Sequence, residues 1–414
     1  MNYEFLVARQ RTAVAEIAER LDRLETYLRD DPSNMSLLVE AFETALRCRQ
    51  WDRAQFHLRH ALALDSASLA WQLREADLWL AQEKHEEAND ILQRLGAISP
   101  LPAGLADALL HDLALIDFQS KNFTKCVARL EARMRFVAQT ENGVPDVVET
   151  TFPLPLGKLW LRALHHAGEV ESAVQWAQHL SQIQRLDPSL AGIASLAALD
   201  NQGFSLAREW SAAALSNTQP GERPVEAYVT QASLALAARD AVKARDLASA
   251  ALQLNPDDGR SWSTYAFADL LAGEPALACS HFERALRTMP GHIGTWHGLG
   301  WSQVVQQQLT SAKTSFETAL SLDRNFAESH GSLAVVHALE GDAESASFHI
   351  ERALRLDPGS VTGRFAQSIL RGEASNPQAF KRLAQHLLGD QAAPIGGGSV
   401  WDGIWKSQGA QNPR

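Results

Sequence analysis

The side chains of this 414-residue chain that could do chemistry are scattered. His57 and His60 stand three apart in a stretch of helical period, near enough in principle for one metal ion. No acidic residue or cysteine joins them at helical spacing, so no metal site is expected. His165 and His166 precede Gly168 at the end of another helical stretch, where a cation suits the negative end of a helix. Gly396-Gly397-Gly398-Ser399 has glycines but neither the lysine nor the following helix of a phosphate loop, and reads as a linker. Cys48, Cys126 and Cys279 are odd in number, far apart and in no CxxC pair. They read as buried small hydrophobes of a reducing compartment. No G-x-S-x-G, H-E-x-x-H or dinucleotide fingerprint occurs. The expectation is a protein that is not an enzyme and uses no cofactor and no metal.

The elements that would position any site are written most plainly from Gly259 to Pro358. Trp262, Trp296 and His330 recur at a spacing of 34, followed by Tyr265, Leu299 and Leu333, then Ala266, Gly300 and Ala334. Ala278, Ala312 and Ala346 come next, then Phe282, Phe316 and Ile350, then Ala285, Ala319 and Ala353. Pro290, Arg324 and Pro358 close the units. Each unit reads as two amphipathic helices: the alanines let the helices cross closely, and larger residues fill beside them. Gly273 and Gly341 fall where the first helix ends, and the prolines stop the second. One hairpin cannot cover its own apolar stripe, but stacked neighbours can.

Trp296, Leu299, Gly300, Ala312 and Phe316, with the 34-residue period and the late proline, resemble the tetratricopeptide (TPR) repeat family. The resemblance implies an all-α, right-handed superhelical solenoid of about ten TPR-like hairpins. The domain reading follows the chain. Residues 1–34 are a capping helix or degenerate repeat, with Leu21, Leu24 and Leu28 on its apolar stripe, or else a short coiled-coil seam. Residues 35–138 are TPR-like repeats. Residues 139–156, with three prolines, form an irregular excursion, either a partner-contacting hinge or a plain linker. Residues 157–390 hold further repeats and a C-terminal cap, and 391–414 are a flexible tail presenting Trp401, Ile404 and Trp405.

In proteins similar to this one, the first helix of each unit lines a concave groove. Five residues after the tryptophan position, the chain carries Glu43, Asp77, Leu115, Arg162, Leu196, Ser233, Phe267, Trp301, Val335 and Ile369. The early positions are mixed and charged, and the last four are apolar. His297, Phe365, Leu270 and Val304 join that stretch. It reads as an exposed binding wall, or else these residues touch one another in a tight superhelix. The inner positions that clamp a carboxylate in some family members hold Ser263, Phe267, His297 and Trp301 here. An apolar segment is therefore the expected ligand, and the tail's tryptophans are one candidate.

Net charge of −11 argues against nucleic acid as a partner. No apolar run is long enough to span a membrane, and the N-terminus has no signal-peptide core, so a soluble, cytoplasmic protein is expected. The functional expectation is an interaction scaffold, adaptor or assembly chaperone, self-associating if the N-terminal helix or the tail pairs with a second copy. Its alternatives are a peptide-gated regulator, or a substrate-selecting accessory subunit of an enzyme acting in trans.

Overall fold

A computed structural model describes residues 3–134 and 152–372, the side chains of residues 3–15 excepted. The described residues form twenty α-helices and one 3-10 turn, with no strand among them. The chain divides into two compact units, one reaching Glu169 and the other starting at Val170.

The first unit holds α1 (Tyr3–Asp30), α2 (Met35–Arg47), α3 (Trp51–Leu64), α4 (Leu69–Ala81), α5 (His85–Gly96), α6 (Ala103–Gln119), α7 (Phe123–Met134) and α8 (Leu154–His166). Leu21, Leu24 and Leu28 of α1 are buried in one cluster with Leu38, Phe42 and Leu58, so its apolar stripe covers the first hairpin. His57 is buried and its Nε2 lies 3.0 Å from Glu25 Oε1, while Arg53 bridges Glu25 and Asp22. Those polar groups tie α3 to α1. The expected excursion 139–156 lies outside the described residues except at its end, where Leu154 opens α8. His166 of α8 stacks on Phe123 of α7.

The second unit holds α9 (Val170–Gln182), α10 (Pro188–Asp200), α11 (Phe204–Asn217), α12 (Val225–Ala237), α13 (Ala241–Leu254), α14 (Gly259–Leu271), α15 (Pro275–Thr288), α16 (Ile293–Val305), α17 (Leu309–Leu322), α18 (Ala327–Glu340), α19 (Ala343–Leu356) and α20 (Val361–Leu370). From α10 onward the helices pair as hairpins, and first helices lie side by side at α10 with α12, α12 with α14, α14 with α16 and α18 with α20, while His297 links α16 to α18. The cap expected after Leu370 falls outside the described residues.

Three devices recur at the repeat spacing. The residue between the two helices of a hairpin is left-handed at Arg239, Gly273, Gln307 and Gly341, with φ of 60, 84, 62 and 80°. Only glycine takes that conformation without strain against a Cβ. The ring N–H at the tryptophan position donates back to the carbonyl that closed the previous unit. Trp262 reaches Pro256 O at 2.7 Å, Trp296 reaches Pro290 O at 2.8 Å, and His330 Nε2 lies 3.3 Å from Arg324 O. In α20 Arg364 makes the same bond to Pro358 O at 2.8 Å. Third, the Gly300 backbone lies against the Phe316 ring so closely that a Cβ there would overlap it. The glycine of the repeat pattern is a packing residue here.

Polar pairs also face each other across hairpins at a separation of twelve residues. Asp117 binds Arg129 at 2.7 Å, Asp269 binds His281 at 2.6 Å, and Ser315 donates to Gln303 at 2.8 Å. His337 and His349 occupy the same positions as a parallel ring stack. Position is fixed by the hairpin, and chemistry varies within it.

Candidate partner-binding wall

The first helices α10, α14 and α16 of the second unit are buried nearly all round. In α16, eleven residues are buried, with Ser302 and Gly298 among them. Small residues make this possible. Hydroxyls and glycines let neighbouring first helices approach, and the hydroxyls bond across the seam: Ser195 to Thr230 at 3.0 Å, Ser263 to Thr295 at 3.0 Å, and Thr362 to Glu328.

Onto this frame fall the residues expected at the wall. Trp301, Val304, Val335 and Phe365 are buried in one cluster, with half-buried Ile369 packed against it. Phe267 is buried in a neighbouring cluster with Phe282 and Leu299, and half-buried Leu270 packs there. The rings of Phe267 and Phe282 meet edge to face at 4.8 Å. An openly exposed wall was one expectation. The side chains instead close on one another, since apolar groups brought within reach gain by leaving water together. Leu270 and Ile369 keep partial access to solvent.

His297 stands apart. It is buried between the Phe316 and Phe326 rings, its Nε2 lies 2.9 Å from Ser329 Oγ, and its Nδ1 lies 3.4 Å from Ser332 Oγ. Burial without a charged partner lowers its pKa to about 3, so the ring is neutral and joins the hydroxyl seam. His292 plays a related part. Its Nδ1 accepts the Thr295 N–H at 3.1 Å as the N-cap of α16, a role open only to the neutral ring. Burial, then Arg260, lowers its pKa to about 4.

At the centre of the larger cluster, the buried Trp301 indole N–H has no acceptor among the described residues. A buried donor left unpaired is costly. Trp401, Ile404 and Trp405 lie outside the described residues. Cys48 and Cys126 are buried and Cys279 half-buried; burial raises the Cys126 thiol to about 12 and also raises Cys279. Among the described residues no group of three or more His, Cys, Asp or Glu is arranged to hold a metal ion, and no helix is long and apolar enough to cross a membrane.

Two features escaped the sequence reading. In the first unit Asp77 and Asp112, from α4 and α6, face each other, and burial followed by the Asp112 charge pushes the Asp77 carboxyl well above its ordinary range. In the second, His330 and His349 bring their Nδ1 atoms to 3.1 Å. Both depend on which residues of different helices meet, and no local spacing encodes that.

No family model matches the chain, and no curated protein matches it. Solved structures do. The APC/C hetero-tetramer Cut9–Hcn1 is 13% identical, with 94% of this chain and 86% of that one covered, at a TM-score of 0.44. YrrB, a TPR protein with an unusual peptide-binding site, is 15% identical over 59% of this chain and 97% of that one, at 0.32. A mutant O-GlcNAc transferase of Thermobaculum terrenum is 21% identical over 33% of this chain and 27% of that one, at 0.32. By its own hairpins, turns and 34-residue register, the chain is a TPR-like all-α helical repeat protein.

Proposed function

We propose that the chain is a non-catalytic protein–protein interaction scaffold, of adaptor or assembly-chaperone type, that holds an apolar segment of a partner protein along the second unit. One observation carries this reading. Consecutive first helices α14, α16, α18 and α20 place Phe267, Trp301, Val335 and Ile369 at one register position, in two adjoining apolar clusters. Phe267 and Trp301 rest on Phe282 and Phe316 of their own hairpins, so an incoming apolar segment would meet a surface already lined by large apolar groups. The Trp301 N–H supplies a donor for a partner's carbonyl. An entering segment would exchange apolar contacts for others of the same kind, with Leu270 and Ile369 met first because they keep solvent access.

The test places a photo-crosslinking residue at Leu270, at Ile369 and, as control, at the exposed Phe348. The expected result is one partner joined at the first two positions and not the third. That partner, purified, should bind the wild type and bind the Trp301→Phe variant at least about threefold more weakly, since a bond to the indole N–H is lost. Crosslinks to residues 391–414 of the same chain would make the tail the occupant. Equal capture at all three positions would remove the wall from consideration.

A further inference from the structure

We propose that the cleft beside His330 in the second unit is a binding site for a dianion of the phosphomonoester class. The cleft lies at α17, α18 and α19 and has a volume of about 500 Å³. That is within the range of small-molecule sites. Its walls include Arg324, Asn325, His330, Phe348, Arg352 and Glu317.

Two guanidinium groups share this cleft, and both residues are exposed. Neither Arg324 nor Arg352 has a carboxylate within ion-pair distance among the described residues, whereas Arg245 holds Asp269, Arg260 holds Asp200 and Arg355 holds Glu351. On a chain of net charge −11, two guanidinium groups without an ion-pair partner against the single carboxylate of Glu317 leave this cleft locally cationic. Guanidinium forks match phosphate oxygens in pairs, which an isolated ammonium does not. The Phe348 ring is 53% exposed and carries the Arg352 guanidinium 5.5 Å from its centre. A planar or apolar portion of the ligand would lie on that ring.

The histidine pair sets the proton count. His330 Nε2 faces the Arg324 carbonyl, which can only accept, so that nitrogen carries its hydrogen. In the neutral pair His330 Nδ1 therefore accepts from His349 Nδ1–H across 3.1 Å. Arg324 and Arg352 approach this pair from the cleft, Lys313 and Glu317 from α17, and His337 from α18, itself beside Glu340 and Asp342. Burial, and then Arg352, lowers His330; burial, His330, His337 and Lys313 hold His349 at about 4. A bound dianion reverses that field. One proton then moves from solvent onto His330 Nδ1, and His349 shifts its hydrogen to Nε2 and becomes the acceptor. The same cations count against a divalent metal between the two imidazoles.

Calorimetric titration of the full chain with phenyl phosphate and with inorganic phosphate, at pH 7 in two buffers of different ionisation heat, tests this. The Arg324→Gln plus Arg352→Gln variant should weaken both probes at least about tenfold, because the paired guanidinium contacts carry the affinity. Phe348→Ala should weaken phenyl phosphate by about threefold and leave inorganic phosphate unchanged, as loss of one stacking face implies. Proton uptake on binding should be present in the wild type and absent in His330→Gln. All four side chains line the cleft, and an unchanged helical circular dichroism spectrum confirms that each variant folds. Preference for phenyl phosphate assigns the site to organic phosphomonoesters, and equal binding assigns it to inorganic phosphate. Binding by the double arginine variant within twofold of wild type, or no binding of either probe at millimolar concentration, overturns the proposal.

Discussion

The two units are built from the same hairpin and enclose different titratable groups. In the first, half-buried Asp77 sits against Asp112, and exposed Glu43 and half-buried Arg162 occupy the positions that are apolar later in the chain. In the second, the last four of those positions, from Phe267 to Ile369, are aromatic or aliphatic, and the neutral histidines His292 and His297 are buried, with His349 half-buried, alongside the ion-paired Asp269. A hairpin stack dictates where side chains meet. It leaves the charge of what meets there free, so one architecture carries two opposite responses to protons.

That contrast gives the largest predicted effect. The folded histidines bind protons less readily than unfolded ones, so the stability they contribute is present above pH 6.5 and lost as pH falls toward 4. Each fully buried histidine should cost the second unit about 2 kcal/mol between pH 7 and pH 5. Asp77 behaves oppositely. Its folded carboxyl holds a proton that the unfolded one releases near 3.8, so the first unit loses stability as pH rises through the folded value. Hydrogen exchange followed by mass spectrometry at pH 5, 7 and 8.5 should show protection falling in α16–α19 on the acid side and in α4 and α6 on the alkaline side. The same direction of change in both units would break the comparison. Asp77→Asn should flatten the alkaline loss and leave the acid side alone.

A second test concerns packing within the second unit. Gly300→Ala would drive a methyl into the Phe316 ring and should destabilise by about 1–3 kcal/mol, read as a drop in urea midpoint. No change would mean that the repeat glycine is not held by that ring.

The smallest effect lies in the turns. Gln307 has φ of 62° where Gly273 and Gly341 stand one repeat away. Gln307→Gly should stabilise by about 0.5 kcal/mol, because relief of left-handed strain slightly exceeds the added freedom of the unfolded chain. Gly341→Gln should do the reverse.

Much of the fold was legible because the repeat writes its rules locally. The 34-residue spacing, the left-handed turn at Gly273 and Gly341, and the alanines at the crossing are properties of one hairpin read along the sequence. The wall was legible only in part. The register position of Phe267, Trp301, Val335 and Ile369 could be counted, but their mutual burial depends on how closely first helices approach. That approach is set by the Ser, Thr and Gly seam, which spacing alone does not reveal. His297 looked like a wall residue and is a seam residue, since a neutral imidazole bonds hydroxyls as well as it packs. The paired Asp77 and Asp112 and the paired His330 and His349 join residues 35 and 19 apart in sequence, beyond any helical period.

The bond from the tryptophan position to the closing carbonyl has a wider consequence. Trp262, Trp296, His330 and Arg364 all make it, six residues back each time, although they share neither size nor aromaticity nor charge. The position tolerates any side chain long enough to carry an N–H to that oxygen. Its lettering can therefore drift while the joint persists, and a repeat can trade an indole for an imidazole and keep the bond, longer at 3.3 Å. A pattern that looks for tryptophan reads such a unit as decayed. Mechanically it is intact, and the exchanged ring is free to take up a second occupation on its other edge.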